Sequence, residues 1–147
     1  MDVKTKKARN FRNYKVWQDA VDYASKVYKI TAEMPWFEKK GLCDQLQRAV
    51  VSISSNIAEG AAKPSDSEFA RFLDTSLGSA FEVETQLLIA KNVGYIKNAN
   101  DNVNDNSNDN VNDNDNGGVT YEELLAELQE IERQINGLIG VVRKEER

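Results

Sequence analysis

Apolar residues recur every three or four positions in four blocks of the chain. In the first, from about residue 13 to 34, the stripe is Val16, Trp17, Ala20, Val21, Ala24, Val27, Tyr28 and Thr31. That spacing gathers side chains on one face of a helix with 3.6 residues per turn. Pro35 ends the block, since proline has no amide hydrogen and steers the residue before it away from helix. The second block runs from about residue 39 to 62, with Leu42, Leu46, Ala49, Val50, Ile53, Ile57 and Ala61 on one stripe and Gly60 and Pro64 at its end. The third opens with Ser65 and Glu68, spaced so that each side chain satisfies the other's free backbone N–H. It continues through Phe69, Phe72, Leu73, Ser76, Leu77, Ala80, Val83, Leu87 and Leu88 and frays near Gly94. The fourth repeats the capping pattern with Thr120 and Glu123, then places Leu124, Leu125, Leu128, Ile131, Ile135, Leu138, Ile139 and Val142 toward a core.

No segment alternates with period two, and these helices are far longer than the mean of ~11 residues. Long helices with one apolar stripe each bury those stripes best against one another. The first two connections, around residues 35–38 and 63–64, are short, which makes consecutive helices antiparallel neighbours. The predicted fold is all-α: an antiparallel up-down-up-down four-helix bundle. Between helices 3 and 4 lies a segment, residues 98–118, built on a four-residue Asn/Asp repeat with almost nothing apolar. Such a composition buries too little surface to offset chain entropy, so it is predicted as a disordered loop, whose closure cost grows only as the logarithm of its length. The organisation that follows is an N-terminal arm, residues 1–12, and a single bundle domain, residues 13–147, carrying the insert.

Charge sharpens this division. Of 19 basic and 24 acidic residues, Lys4, Lys6, Lys7, Arg9, Arg12 and Lys15 stand near the N-terminus against Asp2 alone, while the insert holds five Asp and no base. The chain has no His and one Cys, which excludes imidazole-based nucleophilic relays, histidine zinc and di-iron sites, an intrachain disulfide and any CxxC knuckle. No apolar run approaches the ~18 residues of a membrane span, and the first fifteen residues lack the apolar core of a secretory signal. A soluble cytoplasmic protein without cofactor or metal, and without enzymatic activity, is expected.

Candidate chemistry is correspondingly sparse. The cations Lys4, Lys6, Lys7, Arg9, Arg12 and Lys15, with Phe11, Tyr14 and Trp17 nearby, are the pattern expected of contact with phosphates and stacked bases, or else of a plain solvated tail. The small residues around Ser52-Ile53-Ser54-Ser55-Asn56-Ile57-Ala58-Glu59-Gly60 allow a neighbouring helix to approach closely. Asn56 and Glu59 then need partners, for which Arg48, Arg71 and the backbone of the next helix are the candidates; with Glu68 these residues are expected to form a polar network that either fixes helix register or lines an interface. Among carboxylates, Glu82 and Glu84 point to different sides of a helix and Glu68 and Glu82 lie about 21 Å apart, so no paired acid site follows. Cys43 reads as a small, partly buried apolar residue, a reactive thiol being the alternative if Lys39 or Lys40 lowers its pKa. Trp36 and Phe37 read as a cap on one core end, with an exposed contact as the alternative. Asn112, Asn114, Asn116, Gly117, Val119 and Glu123 fall at positions of a calcium loop, but with one regular carboxylate among them.

The run Asn56-Ile57-Ala58-Glu59-Gly60, then Ser67-Glu68-Phe69-Ala70-Arg71-Phe72-Leu73, then Gly78-Ser79 with Glu82 and Glu84, resembles the signature of the 23S rRNA intervening sequence proteins, also called the four-helix bundle protein family. Tyr14-Lys15-Val16-Trp17 and Gly94-Tyr95-Ile96 resemble it too, so the likeness spans about residues 11–97 and 119–143. The resemblance implies a homo-oligomer, most commonly a pentameric ring. It also implies nucleic-acid binding, and a link to accessory factors of reverse transcriptases in diversity-generating retroelements. RNA, a nucleoprotein or a reverse transcriptase are therefore the implied partners, with a protein-interaction scaffold as the alternative. The Asn/Asp insert and the acidic pI of about 4.9 depart from that pattern.

Overall fold

The computed structural model describes residues 9–100 and 118–144. Among these are four α-helices and no strand: α1 (Lys15–Ala32), α2 (Leu42–Ala61), α3 (Asp66–Asn92) and α4 (Tyr121–Lys144), with single 3-10 turns at Phe11–Asn13 and Trp36–Glu38. The apolar stripes meet in one core formed by Ala20, Tyr23 and Val27 of α1, Leu46, Val50, Ile53 and Ile57 of α2, Phe69, Leu73, Val83 and Leu87 of α3, and Leu124, Leu128 and Ile135 of α4. Both N-caps form, Ser65 Oγ accepting from Glu68 N and Thr120 Oγ1 from Glu123 N; the box closes at Thr120, whose N–H donates to the Glu123 carboxylate, whereas the Glu68 carboxylate accepts from the Ser65 hydroxyl.

Contacts between helices run in opposite numerical order. Along α1 and α4, Asp19 accepts from Gln134 while Lys26 pairs with Glu127. Along α3 and α4, Asp74 pairs with Arg143 while Lys91 lies over the Tyr121 ring. Between α1 and α2, Gln47 donates to Thr31 Oγ1, and Cys43 Sγ donates to the Thr31 carbonyl.

The tightest seam joins α2 to α3. Small side chains line it: Ser76 Oγ donates to the Ile53 carbonyl at 2.7 Å, and the Ser52 and Ser79 hydroxyls share a 2.7 Å bond. At Gly60 the approach is so close that an added Cβ would stand 2.6 Å from Phe72 Cβ and 3.0 Å from Phe69 Cδ1. The glycine of Asn56-Ile57-Ala58-Glu59-Gly60 is therefore a packing requirement.

Two expectations change at this level. On α1 the buried set includes Tyr23, whose hydroxyl donates to the Leu124 carbonyl at 2.9 Å, whereas Val21 and Tyr28 face outward. Trp36 and Phe37 do not cap the core: they are 87% and 60% exposed, because the 3-10 turn after Pro35 directs both rings away from the bundle while Met34 and Ile96 are buried. Arg9 and the Phe11–Asn13 turn, at the junction of the expected arm with the bundle, pack onto the bundle. Lys4, Lys6 and Lys7, the Asn/Asp insert from residue 101 to 117, and Asn112, Asn114, Asn116 and Gly117 of the calcium reading lie outside the described residues. No helix among the described residues is long and apolar enough to cross a membrane.

Candidate functional site

The three described N-terminal cations divide into one that holds the fold and two that face solvent. Arg9 donates to the Lys63 carbonyl at 2.7 Å, pairs with Asp66 and lies 4.8 Å from the centre of the Phe69 ring. It thus joins the C-terminal carbonyls of α2, where a cation is favoured, to a carboxylate in the first turn of α3, where an anion is favoured. Little of either side chain remains exposed, 16% for Arg9 and 6% for Asp66, so Arg9 is not available to a phosphate. Arg12 is exposed and stacks on Phe11, whose ring meets Trp17 edge-on at 5.1 Å. Lys15 is exposed and pairs with Asp19 at 2.5 Å, a hydrogen bond that raises the lysine pKa. Asp19 is lowered, first by its bond from Gln134 and then by Lys15.

The five residues expected to share a polar network are not joined into one. Arg48 pairs with Asp44 on its own helix, Asn56 donates to the Ser52 carbonyl and hydroxyl, and Glu68 caps α3 with Ser65. Glu59 and Arg71 are exposed and make no ion pair among the described residues. The polar links from α2 to α3 are instead the shorter Asn56–Ser52–Ser79 relay and the bond from the Ser76 hydroxyl to the Ile53 carbonyl. Beside it a groove of about 690 Å³ runs between the helices, lined by Gln45, Arg48, Ser52, Ser79, Glu82 and Ile89.

One core carboxyl escaped the pattern reading. Glu132 is 8% exposed on α4 and faces Glu84 of α3; burial and then the neighbouring carboxyl raise its pKa to about 7. Its position was legible, since Leu128, Glu132, Ile135 and Ile139 follow the same three- and four-residue steps as the core. Glu82, by contrast, is exposed, consistent with its divergence from Glu84. Cys43 is buried, with its sulfur 3.7 Å from Met34 Sδ, and desolvation pushes the thiol upward, which removes the reactive reading. Glu123, the one regular carboxylate of the calcium reading, instead accepts from Thr120 N.

Two apolar strips remain on the outside. One combines Val21, Ala24 and Tyr28 of α1 around a shallow groove of about 480 Å³, and a neighbouring groove is lined by Tyr28 together with Val51 of α2. The other runs along α3, where Phe81 and Leu88, seven residues apart, share a line beside Ile89. Apart from Ala24, which packs against the core, neither strip is used by it. Fold and surface together define a small helical bundle with apolar side chains left on its outer faces.

The sequence matches the profile of the 23S rRNA-intervening sequence proteins over residues 12–114, and the chain belongs to that family. A solved structure of a protein of unknown function from the S23 ribosomal protein family of Bacteroides thetaiotaomicron has a similar fold, with a TM-score of 0.63 at 19% identity over 85% of this chain and 95% of that one. No curated protein matches.

Proposed function

We propose that this protein is a non-enzymatic, cytoplasmic helical module that assembles with copies of itself and presents its N-terminal cations to RNA or to a nucleoprotein. An up-down-up-down antiparallel arrangement underlies the reading, supported by the reversed numerical order of the pairings Asp19–Gln134 and Lys26–Glu127. The single observation that carries association is the pair of distinct apolar strips, Val21–Tyr28 and Phe81–Leu88, left outside a core that is already complete. Two different patches suit a head-to-tail contact, which closes as a ring when the rotation per subunit allows it. A pentamer is the favoured ring.

A ring multiplies weak charge contacts. Each subunit contributes Lys4, Lys6, Lys7, Arg12 and Lys15, and repeated binding elements gain affinity through effective concentration although the chain itself is net acidic. The family's connection with rRNA supports RNA as the ligand; a reverse transcriptase or other protein docking on the α2/α3 groove is the second reading, supported by that groove's mixed polar and apolar lining.

The test pairs mass with binding. Light scattering of the intact protein is expected to give a multiple of 16.6 kDa, and Tyr28→Asp or Leu88→Asp is expected to lower it. RNA affinity is expected to fall with salt, through counterion release, and to drop when residues 1–8 are deleted and Arg12 and Lys15 are changed to Ala. Residue 9 is retained because it holds the α2–α3 turn. A monomer at all concentrations overturns the assembly, and RNA binding that ignores both salt and the cations overturns the ligand.

A further inference from the structure

The bundle end farthest from the basic segment carries an exposed aromatic pair that neither core formation nor the apolar strips use. We infer that Trp36 and Phe37, with Lys39 and Lys40, form a stacking platform for an unpaired base of single-stranded RNA. The inference rests on the RNA reading above and assigns it a second contact, separated from Arg12 and Lys15 by the length of α1, about 27 Å at 1.5 Å per residue.

Four features support the assignment. Trp36 is the most exposed large apolar side chain among the described residues, and its ring meets Phe37 edge-on, with centroids 6.1 Å apart at 80°. Base stacking needs such an accessible aromatic face and tolerates any base. Second, the turn is held firmly. Glu38 Oε1 accepts from Tyr95 Oη at 3.0 Å, Glu38 Oε2 accepts from Leu42 N at 3.2 Å, and Lys39 N bonds back to the Trp36 carbonyl. Third, those bonds engage both oxygens of Glu38, the carboxylate within the turn itself, leaving the exposed Glu33 at the end of α1 as the next acid in sequence, while Lys39 and Lys40 are exposed and make no ion pair among the described residues. Unneutralised cations beside an exposed ring suit a phosphate next to a base. Fourth, two rings bury on the order of 400 Å², against about 800 Å² per partner in a standard protein interface. Nor does a three-residue turn offer the broad amphipathic helix face by which proteins lie in a membrane surface.

The experiment uses the full chain with Trp17→Phe, so that Trp36 is its sole tryptophan. Its fluorescence is followed while a short single-stranded RNA, the corresponding duplex, or an abasic oligomer of equal length is added. Saturable quenching by the single strand is expected, with much less from the duplex and the abasic oligomer. In the parent chain, Trp36→Ala is expected to weaken single-strand binding at least about fivefold, Trp36→Phe to retain most of it, and Lys39→Gln with Lys40→Gln to reduce the salt slope by about 1.4. Circular dichroism on each variant is expected to match the parent, since these side chains are exposed.

If the parent binds RNA and Trp36→Ala binds equally well, the platform is overturned while the RNA reading stands. If the parent binds no RNA, both fall. Equal quenching by the abasic oligomer reduces the site to phosphate contact and overturns stacking. A blue shift on phosphatidylcholine vesicles, or on raising protein concentration without RNA, assigns the aromatics to lipid or to self-association and overturns it as well.

Discussion

Replacing Gly60 by Ala isolates the close packing of α2 on α3. The added Cβ would stand 2.6 Å from Phe72 Cβ and 3.0 Å from Phe69 Cδ1, whereas carbon atoms prefer about 3.5–4.0 Å. Neither neighbour is the free end of a flexible side chain, because Phe69 is fully buried and the Phe72 contact is to its Cβ, fixed to the backbone. The helices must therefore part by on the order of 1 Å, at the overpacking cost of about 1–3 kcal/mol. Helix propensity works the other way, since Ala is better than Gly by about 1 kcal/mol inside a helix. The net expectation is a loss of up to about 2 kcal/mol, or about 3 °C in Tm per kcal/mol for a chain of this size. Gly137→Ala supplies the control. That residue is exposed within α4 and an added Cβ there meets nothing within 4 Å, so only the propensity gain of about 0.5–1 kcal/mol should remain. Urea unfolding followed at the helical circular dichroism band, at one protein concentration because assembly adds stability, should place the two variants on opposite sides of the parent. Gly60→Ala at least as stable as the parent, with an unchanged m-value, would refute the argument.

Glu132 gives the protein a pH dependence with a definite sign. Its folded pKa of about 7 lies above the ordinary 4.5, so its contribution is complete below the ordinary value and is lost as pH rises through 7. Unfolding free energy near pH 5 should thus exceed that near pH 8 by roughly 1–3 kcal/mol, and Glu132→Gln should flatten the profile; the absence of His keeps that window clear of other side chains with ordinary values. Arg9→Ala should cost about 2 kcal/mol through loss of its ion pair with Asp66 and its bond to the Lys63 carbonyl, while Arg12→Ala stays within about 0.5 kcal/mol and lowers only RNA affinity, as paired thermal melts and binding curves would reveal. Tyr23→Phe should lose about 1 kcal/mol in urea unfolding with the bond to the Leu124 carbonyl. An unchanged midpoint would mean that this bond adds nothing.

Periodicity alone located all four helices to within a few residues, because a stripe stepping by three and four is the direct imprint of an amphipathic helix. Two N-caps were equally readable, since Ser65–Glu68 and Thr120–Glu123 depend on nothing beyond four consecutive residues. Even the demand for small residues near Gly60 was visible, although not which partner imposed it. The tertiary structure decided whatever depended on how far each stripe reaches round its helix. A stripe wider than the core needs does not say which edge stays outside, so Val21 and Tyr28 looked as internal as Val27, and Tyr23 was overlooked. Charge was the least legible property of all. Arg9 and Arg12 are the same residue three positions apart, yet one is clamped between the ends of α2 and α3 and the other faces water. Trp36 likewise reads as core by its chemistry and stands in solvent by its turn, because burial belongs to the packing of distant segments and not to the side chain itself.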